Sequence, residues 1–96
     1  MAKGYWVTFY RSISNPDAVT EYAKLAGPTL DAAGAKLLAR GVPARTFESG
    51  LTMRSVVIEF ESVEKAITTF ESPAYQAAAK LLKGAAERDI RILEGV

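Results

Sequence analysis

Residues 4–11, GYWVTFYR, gather aromatic and β-branched side chains in an unbroken run, which predicts a first strand. Ser-Ile-Ser-Asn-Pro-Asp follows. Asn15 is a good N-cap and Pro16 a good first helical residue, and Asp17 places a negative charge near the positive end of the helix dipole. Val19, Tyr22, Ala23, Ala26, Leu30 and Ala33 then recur at spacings of three and four, the apolar stripe of an amphipathic helix. Pro28 falls inside the stripe, which resumes in phase, so a kink rather than a break is expected. Gly34 ends the helix.

Residues 35–41, AKLLARG, predict a second strand, bent at Val42-Pro43 because proline cannot donate to a ladder, with an extension over 44–48. Ser49-Gly50 supplies a turn. Residues 52–61, TMRSVVIEFE, are the clearest strand pattern. Ser62 caps a helix through Val63, Ala66, Ile67 and Phe70, and Ser72-Pro73 starts another through Tyr75, Ala78, Ala79 and Leu82, closed by Gly84. Residues 88–94, RDIRILE, predict a last strand.

The order β-α-β-β-α(α)-β is two β-α-β crossovers joined by a hairpin, the ferredoxin-like α+β plan, as a single domain over residues 1–96. Right-handed crossovers put the helices on one face of a four-stranded antiparallel sheet with expected strand order 4-1-3-2. Side chains alternate along each strand, so Tyr5, Val7 and Phe9 oppose Trp6, Thr8 and Tyr10. The helices are expected to cover Val7, Phe9, Val56, Ile58, Phe60, Ile90 and Ile92. The second face then carries Trp6, Tyr10, Leu38, Val57 and Leu93. Leaving such groups bare costs about 1.5–3 kcal/mol each, more than a monomer's surface usually carries. Two sheets packed face to face as a homodimer would bury them.

The chain has 96 residues, of which 49% are hydrophobic and 24% charged, an ordinary globular balance that argues against disorder. A net charge of +1 offers no field for a polyanion, so nucleic acid is not an expected partner. No stretch is apolar for long enough to span a membrane, and the apolar part of the N-terminus is too short for a secretory signal. A cytoplasmic location is expected, in keeping with the lack of cysteine. Cysteine and histidine are both absent, which removes disulfides, thiol nucleophiles, imidazole bases and zinc–thiolate sites. The glycines form neither a dinucleotide fingerprint nor a P-loop, and the carboxylates have no calcium-loop spacing. No metal and no cofactor are expected.

Gly4-Tyr5-Trp6, Leu38-Ala39-Arg40-Gly41, Val56-Val57-Ile58-Glu59-Phe60, Ser72-Pro73-Ala74-Tyr75-Gln76 and Ile92-Leu93-Glu94-Gly95 together resemble a bacterial family, the domain of unknown function numbered 1330. The resemblance runs in the same order over nearly the whole chain. Where many relatives look like Gly-Gly-Arg after the first helix, this chain has Gly34-Ala35-Lys36. The resemblance implies a dimeric α+β barrel, a fold similar to that of cofactor-independent monooxygenases and muconolactone-type isomerases.

Glu59 stands inside an otherwise apolar strand, and a buried carboxylate needs a partner or a raised pKa. Arg40 on the second strand faces it if the pairing is in register. The pair then lines a pocket beneath Trp6, Arg40 offering its planar donor fork and Glu59 an acceptor or weak base. The alternative is a structural ion pair that sets dimer register. Trp6 either stacks a planar ligand or fills the core, with Leu38 and Val57 as apolar wall. Tyr75 either hydrogen-bonds a ligand or packs its ring, and Arg91 either charges the cavity or snorkels to its edge. Two functions stay open beside a purely structural dimer. One is a module binding a small, partly anionic organic molecule in an inter-sheet cavity. The other is a cofactor-independent enzyme, a monooxygenase or isomerase acting on an activated carbonyl or phenol.

Overall fold

The structure, a computed structural model, describes residues 2–96. Strand β1 (Gly4–Ile13) leads into helix α1 (Pro16–Ala32), strands β2 (Lys36–Gly41) and β3 (Ser55–Phe60), helices α2 (Val63–Glu71) and α3 (Pro73–Ala79), a 3-10 turn at Lys80–Leu82 and strand β4 (Ala86–Glu94). The sheet is antiparallel in the order β2-β3-β1-β4, the expected 4-1-3-2. Among the described residues no helix is long and apolar enough to cross a membrane.

The helix starts follow their caps. The Asn15 side chain accepts from the Ala18 N–H at 3.3 Å, Ser62 from Lys65 at 3.1 Å and Ser72 from Tyr75 at 3.2 Å. Helix α1 runs through Pro28 without a break, and Gly34, at φ 78°, turns the chain out of it. Residues 44–48 do not extend β2. They belong to the connection before β3, where Glu48 adopts φ 51°. This connection leaves Phe47 76% exposed. Strand β3 is shorter than its sequence pattern, starting at Ser55, and β4 begins two residues before the predicted Arg88.

The core is aromatic. Trp6 is 1% exposed and stacks on Phe60 with centroids 5.9 Å apart, while Phe70 and Tyr75 meet it edge-on at 5.3 and 4.9 Å. Gly4 lets α2 approach the sheet: a Cβ there would lie 2.5 Å from the Ser62 carbonyl oxygen.

The expected parity of β1 is inverted. Trp6, Thr8 and Tyr10 face the helices and are buried, whereas Val7 and Phe9 lie on the open face. The register is the cause. Trp6 pairs with Ile58 on one side and Ile92 on the other, and those two residues already face the helices. Both faces of β1 are apolar, so alternation alone did not separate them. Thr8 turns inward with Trp6 and Tyr10, its oxygen accepting from the Trp6 indole N–H at 2.8 Å. The open face still carries an apolar strip beside the charged Glu59, Asp89 and Arg91: Val7 pairs with Val57, Val57 with Ala39, and Tyr5 with a 54% exposed Leu93.

Candidate functional site

Cross-strand rows on the helix side build a graded surface. In the first row Ile92, Trp6, Ile58 and Leu37 lie side by side, all apolar. In the next, Ile90, Thr8, Val56 and Arg40 introduce a hydroxyl and a charge. In the third, Arg88 pairs with Tyr10, whose N–H donates to the Arg54 carbonyl at 3.0 Å. Helix α1 crosses above these rows and leaves a cavity of about 270 Å³ between itself and the sheet. Its wall is apolar at one end, with Trp6, Ile58 and Leu37, and cationic at the other, with Arg40, Arg54 and Arg88. Arg40 and Arg54 also border a hollow beside Thr20 and Lys24, so the charged end reaches the surface along α1.

Hydrogen bonds hold the deep end. The Tyr22 and Tyr75 hydroxyls are 2.6 Å apart, and the Arg88 guanidinium donates to both at 3.2 Å. Arg88 also lies over the Tyr22 ring, 5.0 Å from its centroid. Tyr75 reaches this point because Ser72 and Pro73 start α3 directly beneath it. Arg54 differs from its neighbours: its Nε is buried and has no hydrogen-bond partner among the described residues.

Burial pushes the Tyr75 phenol well above its ordinary value, with the neighbouring Tyr22 adding to the effect. Burial raises Tyr10 as well, against the opposing pull of Arg88. The fold therefore holds the Tyr75 proton more tightly than the unfolded chain does. The stability this contributes is full below the ordinary tyrosine pKa of 10.0 and is lost as the pH climbs above it. In a series of Tm values against pH, the wild-type curve is expected to fall above about pH 10, and Tyr75→Phe to flatten that fall. Parallel curves for the two proteins would show that the proton is not held by the fold.

The residues singled out from sequence divide between the two sides of the sheet. Trp6 and Arg40 line the cavity. Tyr75 stands behind it, wholly buried, touching it through Tyr22 and Arg88. Leu38 is the extra residue of a bulge between the Leu37 and Ala39 pairings, half exposed and outside the cavity. Val57, Glu59 and Arg91 lie on the open face. Arg40 and Glu59 do not meet: Arg40 pairs with Val56 on the cavity side, whereas Glu59 pairs with Lys36. Glu59 instead accepts from the Tyr5 hydroxyl at 3.2 Å and sits 3.8 Å from the Lys3 ammonium. Arg91 is tied to Asp89 at 2.9 Å, which holds the Asp89 carboxyl below its ordinary value. The two residues are three pairings apart along the strands, and the bulge at Leu38 also puts them on opposite faces. It shifts β2 by one residue, and a shift of one turns each side chain to the other face.

Arg54, Arg88, Thr8 and Tyr22 escaped the sequence reading as site residues. A signal was present. Arg54 is in phase with Val56, Ile58 and Phe60, and Arg88 with Ile90 and Ile92, so each arginine extends a helix-facing row. An arginine in register with buried apolar positions has to be either paired or poised for a partner.

A four-stranded antiparallel sheet with all helices on one face, and a half-open cavity under the first of them, places the chain in the ferredoxin-like α+β class. The chain belongs to the family described as Domain of unknown function (DUF1330), which matches it over residues 3–96. Its fold is similar to that of a protein of unknown function from Rhodopseudomonas palustris, with a TM-score of 0.72 at 16% identity over 99% of this chain and 83% of that one. It is also similar to a dimeric protein of unknown function and ferredoxin-like fold from Bacteroides fragilis NCTC 9343, with a TM-score of 0.62 at 14% identity over 97% and 95% of the two chains. A putative antibiotic biosynthesis monooxygenase from Nitrosomonas europaea shares the fold at a TM-score of 0.59 and 9% identity, covering 98% of this chain and 90% of its own. No curated protein matches the sequence.

Proposed function

We propose that the chain acts as a homodimer that binds a small, partly anionic organic molecule, one molecule under each α1. The observation that carries this reading is the cavity's charged end: Arg40, Arg54 and Arg88 line it, and the buried Arg54 Nε has no partner among the described residues. An unsatisfied buried donor costs about 1–3 kcal/mol, which an incoming acceptor would recover. The cavity itself is the right kind of space, mostly apolar with a few convergent polar groups. It lies within one protomer, between α1 and the sheet, rather than between two sheets. The Tyr10 and Tyr75 phenols, both pushed up by burial, stay protonated at neutral pH. Neither is a ready base, and Tyr10, which lines the cavity, can donate there, which favours a binding module over an enzyme that abstracts a proton through tyrosine.

The dimer is supported by the open face, where Val7, Phe9, Val57 and Leu93 form an apolar surface that a second sheet would cover. The similar protein from Bacteroides fragilis is itself called dimeric, and so is one from Thermobifida fusca.

The test is a thermal-shift series over a panel of anionic, neutral and cationic metabolites, run on the wild type and on Arg54→Ala. Anionic members are expected to raise the Tm of the wild type, because a ligand that binds only the folded state stabilises it by mass action. Arg54→Ala is expected to weaken that binding about 10–100-fold, the worth of a hydrogen bond to a charged group. A panel that leaves the wild-type Tm unmoved would leave a structural dimer without a ligand as the better account.

A further inference from the structure

We propose that the inner end of the cavity presents three hydrogen-bond donors with no partner among the described residues, and that the ligand it takes is a small carboxylate with an apolar body, its oxygens held by Thr8, Tyr22 and Arg54. This rests on the cavity being a ligand site and adds the chemical class of the group it holds.

The orientation of one proton carries most of the argument. The Tyr22 and Tyr75 oxygens are 2.6 Å apart, so one hydroxyl hydrogen lies between them, and Arg88 can only donate to either. If Tyr22 were the donor, the Tyr75 hydrogen would be left without an acceptor on a residue that is 0% exposed. That arrangement strands a buried polar group. Tyr75 therefore donates to Tyr22. The Tyr22 oxygen then accepts twice, from Tyr75 and from the Arg88 guanidinium, and has no lone pair left to offer. Its own hydrogen turns into the cavity, which Tyr22 lines and Tyr75 does not. A phenol that accepts two hydrogen bonds, one of them from a cation, is a stronger donor than a free one.

Thr8 supplies a second hydroxyl hydrogen. Its oxygen accepts from the Trp6 indole, and among the described residues its hydroxyl donates to no protein atom. Thr8 is 4% exposed and lines the same cavity. The Arg54 Nε–H is the third free donor. The one carboxylate on the wall is Asp31, nine residues beyond Tyr22 on α1 and so about 13 Å further along the helix axis. It is exposed, beside Leu30 and Ala35 at the other end, and leaves the donor end uncompensated.

Three donors facing inward select a group that brings lone pairs and no hydrogens. A carboxylate does this with both oxygens, and its charge strengthens each bond. A primary amide or an alcohol of the same shape turns a hydrogen toward the donors and loses part of the set. The apolar row of Trp6, Ile58 and Leu37 accommodates the rest of the molecule.

The experiment titrates the wild-type protein with two matched pairs, phenylacetate against phenylacetamide and hexanoate against hexanamide, by calorimetry. At least one acid is expected to bind tenfold or more tightly than its amide. Tyr22→Phe and Thr8→Val, each removing one hydroxyl at nearly constant volume, are expected to weaken binding of that acid about tenfold while changing amide binding less than twofold. Tyr75→Phe leaves Tyr22 in place but removes its hydrogen-bond donor, and is expected to weaken the acid by a smaller factor. Each variant's melting temperature and near-UV circular dichroism report whether it is folded, and Arg54→Lys, which keeps the charge but lacks Nε–H, is a fourth probe of the same donor set. Equal binding of acid and amide, or acid binding untouched by these substitutions, overturns the carboxylate assignment while the cavity remains a ligand site. A neutral metabolite that binds where neither acid does overturns it as well. Failure of all probes and of the wider metabolite panel removes the ligand site itself.

Discussion

Trp6→Ala is expected to lower the unfolding free energy by about 3–5 kcal/mol, the usual cost of truncating a buried Trp or Phe. Small domains have about 5–15 kcal/mol in all, so the variant will sit near the edge of folding. The size of the effect follows from where the ring lies. Trp6 is in the third position of β1, pairs with Ile58 and Ile92, and touches Phe60, Phe70 and Tyr75, so two helices and three strands meet around it. It also forms part of the cavity wall and caps the Thr8 oxygen. Trp6→Phe keeps most of the packing but leaves Thr8 without its donor, and a smaller loss is expected. Urea unfolding with the slope held constant reads both changes. A loss below about 1 kcal/mol for Trp6→Ala would mean that the aromatic cluster is not the centre of the fold.

Val57→Asp is expected to turn a dimer into monomers. Val57 lies mid-face on the uncovered side of the sheet, paired with Val7 and Ala39. In a symmetric pair of sheets each substitution appears twice, setting two carboxylates in an apolar contact. One uncompensated buried charge costs about 3–5 kcal/mol, more than a hundredfold in the dissociation constant. Sedimentation velocity at matched concentrations measures the change, with Ala77→Asp on the exposed side of α3 as a control that leaves assembly intact. A wild-type chain that sediments as a monomer, or a Val57→Asp chain that remains dimeric, would sink the face-to-face arrangement.

Much of the fold was legible because its signals are local. Asn15-Pro16, Ser62 and Ser72-Pro73 mark helix starts through hydrogen bonds that span only three residues, and all three are made. The in-phase stripe on both sides of Pro28 foretold a helix that continues through it. The strand order followed from right-handed crossovers, a rule that needs only the element sequence. The two-sided apolar character of the sheet was legible as well, since it depends on composition at alternate positions.

The site was less legible, and the failures have one source. Alternation tells which side chains of a strand share a face, never which face meets the helices. In β3 a clear difference between Val56-Ile58-Phe60 and Val57-Glu59 settles the matter. In β1 Tyr5-Val7-Phe9 and Trp6-Thr8-Tyr10 are equally able to fill a core, so alternation leaves the choice open. The one-residue bulge at Leu38 leaves no trace in the pattern and puts Arg40 on the face opposite Glu59.

From the chain alone, then, came the elements, their ends, their order across the sheet and a layer apolar on both sides, because each depends on neighbours in sequence or on handedness. The tertiary structure decided which side of β1 is buried, which arginines converge under α1 and where the Tyr75 proton goes. Those depend on register between strands far apart in the chain and on which buried donors find acceptors, and no local pattern encodes either.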